Sequence, residues 1–134
     1  MKSLNFNKKI VFLVLSTVTF LSLATSVVQA AVAFSYEGWG IRSRPSLGST
    51  YLNSSQRVTI NHYQQRDYNC NGIGMTVTVQ KHNGWTWYSV ASETYYETRP
   101  ATFSPYLSSG TYRLYFSTTE SSGQTYYISG TFNK

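Results

Sequence analysis

The sequence predicts an all-β domain of about seven antiparallel strands, placed after an N-terminal export signal. Residues 31–134 are dense in Tyr, Thr, Ser, Val and Trp, which favour strands. They show no apolar repeat at the three-to-four spacing of a helix, and Gly and Asn interrupt them at short intervals, as turns require. This length suits a single domain with one core.

Residues 1–30 are predicted to be a cleavable secretory signal peptide. Three lysines give a positively charged start, the stretch 10–24 is largely apolar, and Val28 and Ala30 are compact residues suited to cleavage after Ala30. A retained membrane anchor is the less favoured alternative, because spanning needs about 20 apolar residues and hydroxyl side chains interrupt this stretch. We therefore expect a secreted, extracellular protein.

The charge and the single cysteine restrict the partners and the chemistry. Three of the 11 basic residues lie in the signal, so its removal lowers the formal net charge from +6 to +3. The remaining basic residues are scattered, which predicts no nucleic-acid partner.

Cys70 has no internal disulfide partner, so we expect a buried thiol, or alternatively a free thiol or an intermolecular bridge.

The first strand is predicted at about Val32–Tyr36, with Phe34 and Tyr36 on one face. A polar connection rich in Gly and Ser follows from Gly38 to Ser55 and contains Pro45, which interrupts strands. Its length allows two interpretations, a functional loop or a short edge strand.

The second and third strands are predicted at about Arg57–Gln64 and Ile73–Gln80. In the second, Val58 and Ile60 are expected to face inward. In the third, apolar residues occupy every second position, which is the period of a half-buried strand. These inward positions are Ile73, Met75, Val77 and Val79.

Asn83 and Gly84 separate the third strand from a fourth, predicted at about Trp85–Val90. Both central residues of a type I′ turn need positive φ, and Asn-Gly tolerates that conformation best. We therefore expect the third and fourth strands to be antiparallel neighbours.

Three more strands complete the predicted domain. The fifth lies between Glu93 and Ser104, where Pro100 confines it to a sheet edge. The sixth covers Thr111–Thr118 and the seventh Thr125–Phe132.

The residues Leu107, Gly110 and Tyr112, at the start of the sixth strand, resemble the tyrosine corner of Greek-key β-sandwiches. In that motif the tyrosine hydroxyl bonds to backbone a few residues upstream, where the chain crosses between sheets. The resemblance implies an antiparallel Greek-key β-sandwich of the immunoglobulin or fibronectin kind. It covers six residues and carries no implication for function.

The sequence predicts no set of residues arranged for catalysis. The acids after the signal are Glu37, Asp67, Glu93, Glu97 and Glu120, and the histidines are His62 and His82. Glu93 and Glu97 are the closest acidic pair and are expected to be solvated. Cys70 is expected in the turn between the second and third strands, away from both histidines. We therefore expect no Cys–His pair in which a histidine activates the thiol as a nucleophile. The spacing fits neither zinc nor calcium, and we predict neither a cofactor nor an enzyme.

Aromatic density is the feature that points to binding. Twelve tyrosines and three tryptophans lie after residue 30, more than a core of this size can bury. Exposed aromatic rings give a large contact area, and flat rings can stack on sugar faces. We therefore predict a non-enzymatic module that binds a glycan or a cell-surface partner. The candidate ligand-binding residues are Trp39, Trp85, Trp87, Tyr88, Tyr95 and Tyr115.

Two alternative functions stay open at this point. Alternating strands with aromatic residues and a mild positive charge are compatible with an antimicrobial or toxin-like protein that acts on membranes. The Gly38–Ser55 connection, if it is a loop, could instead be presented by an inhibitor of an extracellular enzyme.

Overall fold

The computed structural model describes residues 30–66, 72–119 and 124–134, and within these ranges the chain is all-β. The strands are β1 (Val32–Ile41), β2 (Ser43–Leu52), β3 (Gln56–Arg57), β4 (Thr59–Arg66), β5 (Met75–His82), β6 (Trp87–Tyr95), β7 (Arg99–Phe103), β8 (Tyr106–Leu107), β9 (Gly110–Thr118) and β10 (Tyr126–Asn133). Predictions were also made for residues 1–29 of the expected signal peptide and for Asp67, Cys70 and Glu120, which lie outside the described residues.

The strands form two four-stranded antiparallel sheets and one short ribbon. Sheet A has the order β1-β10-β4-β7, and sheet B has the order β2-β9-β5-β6. The ribbon pairs β3 with β8. The prediction of an antiparallel all-β chain is therefore confirmed.

The core lies between the two sheets, in a β-sandwich-like arrangement. Side chains of sheet A and sheet B meet there, as shown by the rings of Tyr36 and Phe116, whose centroids are 4.9 Å apart. The buried apolar residues are Ile41, Leu52, Val58, Ile60, Ile73, Met75, Val77, Val79, Tyr95, Leu107, Tyr112, Leu114, Phe116, Tyr126, Ile128 and Phe132. Both inward positions predicted for the second strand and all four predicted for the third belong to this core.

Several local predictions are confirmed. Strands β5 and β6 are antiparallel neighbours, and β7, which contains Pro100, is an edge strand of sheet A. The hydroxyl of Tyr112 donates to the carbonyl oxygen of Ser108 at 2.8 Å, as expected for a tyrosine corner. This bond lies where the chain passes from β7 in sheet A to β9 in sheet B.

The connection predicted from Gly38 to Ser55 is mostly strand. β1 continues to Ile41, and after Arg42 the chain forms β2, a ten-residue edge strand of sheet B. Gly40 has a φ of +63°, which allows the irregularity near the end of β1. Pro45 is tolerated because an edge strand needs only one side for pairing. The segment is therefore not the long loop that the inhibitor alternative required, and it forms an edge strand that is longer than the short one expected.

The turn between β5 and β6 differs from the predicted type I′ turn. Gly84 has a positive φ of 99°, but Asn83 does not. The Asn83 side-chain oxygen instead accepts hydrogen bonds from the backbone N–H groups of Trp85 and Thr86, at 3.0 and 2.9 Å. Because this side chain organises a four-residue connection, β6 begins at Trp87 and not at Trp85.

Candidate binding surfaces

Three aromatic residues line up across the solvent-facing side of sheet A. Trp39, Tyr127 and Tyr63 lie on the neighbouring strands β1, β10 and β4. The ring centroids of Trp39 and Tyr127 are 4.3 Å apart, and those of Tyr127 and Tyr63 are 6.2 Å apart. We call these three residues the aromatic strip.

The period of the strands explains why these rings face outward. Tyr127 follows the fully buried Tyr126, and Tyr63 lies between the buried His62 and Gln64. Successive side chains of a strand point to opposite faces, so burial of one neighbour directs the other to solvent. Trp39 is 69% exposed.

Polar groups surround the aromatic strip. The hydroxyl of Tyr127 donates to the carboxylate of Glu37 at 3.0 Å. Next to Tyr63 lies a shallow depression of about 280 Å³, whose lining is mostly apolar and includes some hydroxyl and amide groups. It is lined by Asn61, His62, Tyr63, Pro100, Ala101, Thr102, Ser129, Gly130 and Thr131. The surface therefore combines flat rings with hydrogen-bonding groups, in a volume slightly below the roughly 300–1,000 Å³ of pockets for drug-sized ligands.

A buried polar network lies beneath this surface. The Tyr36 hydroxyl is 2.9 Å from Nδ1 of His62, and Nε2 of His62 is 3.2 Å from Oε1 of Gln64. The amide nitrogen of Gln64 donates to the carbonyl oxygens of Tyr95 and Glu97, at 2.9 and 2.8 Å. Because Oε1 of Gln64 must then accept, the neutral imidazole carries its proton on Nε2 and accepts from Tyr36.

Burial controls the protonation of this network. Desolvation lowers the pKa of His62 to about 4, although the hydrogen bond to Gln64 acts in the opposite direction. Burial also raises the pKa of Tyr36. The two side chains are therefore neutral at pH 7, and they hold β1 and β4 in place through hydrogen bonds without a buried charge.

A second cluster lies on the outer side of sheet B. The guanidinium carbon of Arg113 is 4.4 Å from the ring centroid of Trp87, and Nε of Arg113 donates to Oε1 of Gln80 at 2.9 Å. The ring of His82 packs against Trp87, with centroids 4.9 Å apart. We call Gln80, His82, Trp87 and Arg113 the arginine platform.

The structure separates the six residues that the sequence analysis selected. Trp39 belongs to the aromatic strip, whereas Trp87 lies on the opposite sheet. Tyr115 is on the same side of sheet B as Trp87, and its hydroxyl is hydrogen-bonded to Oγ of Ser43. Trp85 is 96% exposed in the turn between β5 and β6.

Tyr88 and Tyr95 also lie on β6, but they do not share a surface with Trp87. Tyr88 is exposed, but as the next residue along β6 it points away from the side that carries Trp87. Tyr95 is only 6% exposed and its ring stacks on His62 in the core, with centroids 5.7 Å apart. The expected surface position of Tyr95 is thus not found, because it is an inward-facing residue of β6 paired with the buried Met75.

Tyr63, Tyr127 and Arg113 were not selected from the sequence. For Tyr127 a local signal existed, since one of two adjacent strand tyrosines must face outward. For Tyr63 and Arg113 the relevant feature is the neighbour on another strand, which local sequence does not show.

Within residues 30–66, 72–119 and 124–134, no group of three or more His, Cys, Asp and Glu side chains is arranged to hold a metal ion. Nor do these ranges contain a helix of the length and apolar character required to cross a membrane.

The chain matches no family model and no curated protein sequence. Among solved structures it is similar to the Yersinia pseudotuberculosis-derived mitogen, with 14% sequence identity and a TM-score of 0.41. The match covers 77% of this chain and 86% of the mitogen chain. A similarity of this size does not identify a function.

Proposed function

We propose that the protein is a secreted, non-enzymatic module that binds a glycan of the extracellular space or cell envelope through the aromatic strip. The observation that carries this proposal is the alignment of Trp39, Tyr127 and Tyr63 on three neighbouring strands. Residues from distant parts of the sequence thereby form one continuous row of aromatic rings on the solvent-facing side, tilted relative to one another by 39° and 64°.

The chemistry around the strip favours a saccharide. Aromatic rings offer apolar faces to the C–H groups of a sugar ring, and tyrosine hydroxyls can bond to sugar hydroxyls at the rim. The neighbouring depression presents Asn61, Thr102 and Thr131, whose side chains both donate and accept hydrogen bonds. Among the residues that the structure describes, Glu37 is the carboxylate hydrogen-bonded to the strip, and this low local charge suits an uncharged glycan chain.

For the finer topology we propose a Greek-key sandwich of the immunoglobulin or fibronectin kind. The support is the tyrosine-corner bond from Tyr112 to Ser108, located at a crossing between the two sheets. Such a frame carries binding residues on rigid strands and needs no mobile loop to form a surface.

The test compares tryptophans on different surfaces. The processed protein and its Trp39→Ala, Tyr127→Ala and Trp85→Ala variants would be titrated with soluble neutral oligosaccharides and sedimented with cellulose, chitin and peptidoglycan. We expect Trp39→Ala and Tyr127→Ala each to weaken binding by about tenfold or more, equal to about 1.4 kcal/mol. Trp85→Ala, which removes an exposed tryptophan from the turn, serves as the matched control and should change affinity less than about twofold.

Two results would overturn the proposal. One is the absence of binding to every glycan tested, and the other is a loss in Trp85→Ala equal to the loss in Trp39→Ala. Leakage from dye-loaded vesicles without any glycan binding would instead favour the membrane-acting alternative.

A further inference from the structure

The arginine platform holds a guanidinium group with its hydrogen-bonding edge unused by the described part of the chain. One face of Arg113 is stacked on Trp87, and its Nε is bound to Gln80. Within residues 30–66, 72–119 and 124–134, no acceptor is assigned to the two terminal nitrogens. A guanidinium fixed in this way presents a planar fork, which is the geometry that binds carboxylate and other oxyanions bidentately.

The other polar groups of the platform are also donors. Gln80 uses its oxygen to accept from Arg113, so its amide nitrogen remains as a donor. His82 accepts from the backbone N–H of Gly84 at its Nδ1, so the neutral ring carries its proton on Nε2. Register places Gln80 beside Arg113 and His82 beside Trp87, so the platform spans the three adjacent strands β9, β5 and β6, and its donors Gln80, His82 and Arg113 lie on two of them.

On the same side of sheet B, the described strands carry no carboxylate that would balance the positive charge of Arg113. Apart from Pro45, their outward positions, read from the register, hold hydroxyl, amide, aromatic and basic residues. They are Ser43, Pro45, Ser49 and Tyr51 on β2, Thr76, Thr78, Gln80 and His82 on β5, Trp87, Ser89, Ser92 and Thr94 on β6, and Thr111, Arg113, Tyr115 and Ser117 on β9.

We propose that the arginine platform is a second binding site, specific for the carboxylate or sulfate group of an acidic saccharide. The platform favours an anion because the free polar groups of Arg113, Gln80 and His82 are hydrogen-bond donors. The surrounding sheet surface is rich in hydroxyl groups and includes the exposed Tyr51, which suits a sugar chain. This site differs from the aromatic strip in sheet, in charge and in ligand, and it does not depend on the function proposed for the strip.

The experiment measures affinity for polygalacturonate, which carries carboxylates, for dextran sulfate, which carries sulfates, and for neutral dextran, at about 0.15 M salt. The variants are Arg113→Gln and, as a control with the same change of net charge, Arg57→Gln on β3. We expect Arg113→Gln to weaken binding to at least one acidic polymer by about tenfold or more, and Arg57→Gln by less than about twofold. The acidic polymer that binds more tightly identifies the anion.

A second variant keeps the test decisive if Arg113→Gln alters the fold. Gln80→Glu retains the shape of the side chain and supplies an internal carboxylate to Arg113, so it should abolish binding of acidic polymers while the thermal melting transition persists.

Equal losses in the Arg113→Gln and Arg57→Gln variants would overturn the proposal, since they indicate attraction by net charge alone. Absence of binding to both acidic polymers would also overturn it. Trp39→Ala should leave this binding unchanged, which separates the two sites.

Discussion

His62 is a buried histidine whose two ring nitrogens are both engaged, by Tyr36 and by Gln64. In the unfolded chain its pKa returns to the ordinary value near 6.5, whereas burial lowers it to about 4 in the folded protein. Between these values the unfolded chain binds a proton that the folded protein does not. Folding stability should therefore fall as the pH decreases from about 6.5 to about 4.

We expect this single residue to remove about 3 kcal/mol of stability between pH 7 and pH 4, from the shift in pKa. Urea unfolding at a series of pH values would measure the slope. His62→Gln should flatten it and His82→Gln, at the surface, should not. An unchanged slope in His62→Gln would show that another group is responsible.

Among the secondary-structure elements, the start of β9 is joined to the segment before it by the hydrogen bond of the tyrosine corner. Tyr112 is 1% exposed and its hydroxyl is satisfied by the carbonyl oxygen of Ser108. Gly110, between them, has a φ of +144°, a conformation that other residues rarely adopt. The corner thus fixes the direction in which β9 enters sheet B, and β9 carries Arg113.

Tyr112→Phe tests this element by removing the hydroxyl alone. We expect a loss of about 1–2 kcal/mol in the free energy of unfolding, because the carbonyl of Ser108 loses its main partner. Tyr106→Phe is the control, since Tyr106 is exposed and its bond to Ser55 is 3.4 Å long, and it should change stability by less than about 0.5 kcal/mol. Chemical denaturation measures both. Equal effects of the two substitutions would mean that the corner bond has no special role.

The centre of sheet A depends on a close approach between strands at Gly130. A Cβ atom there would collide with the carbonyl oxygen of Asn61 and with the hydroxyl of Tyr36. We expect Gly130→Ala to destabilise the protein by about 1–3 kcal/mol, because β4 or Tyr36 must move.

Thermal unfolding of Gly130→Ala beside Ser129→Ala would check this expectation. Ser129 is the preceding residue of β10 and faces outward, so its truncation should be nearly neutral. Wild-type stability in Gly130→Ala would show that the close approach is not required.

At the scale of the whole molecule, the two sheets present two chemically different surfaces on opposite sides of one core. Packed sheets are about 10 Å apart, so the aromatic strip and the arginine platform can be occupied at the same time. Their residues do not touch, so the effects of substitutions in the two surfaces should be additive. A molecule with both proposed sites would connect a neutral glycan chain to an acidic one.

Properties that depend on neighbours along the chain can be predicted from local sequence. The alternation of Ile73, Met75, Val77 and Val79 set the buried side of β5, because the strand period of two is local. The corner at Tyr112 was recognisable for the same reason. β2 lacks such an alternation of apolar residues. Its length of ten residues is therefore known only from the folded structure.

The tertiary structure alone decided which strands lie side by side, and therefore which aromatic residues share a surface. Trp39 joins Tyr127 and Tyr63 because β10 pairs with both β1 and β4, while Trp87 was brought to Arg113 through β5. Pairing between strands distant in sequence depends on packing of the entire core, and a local pattern of residues does not encode it.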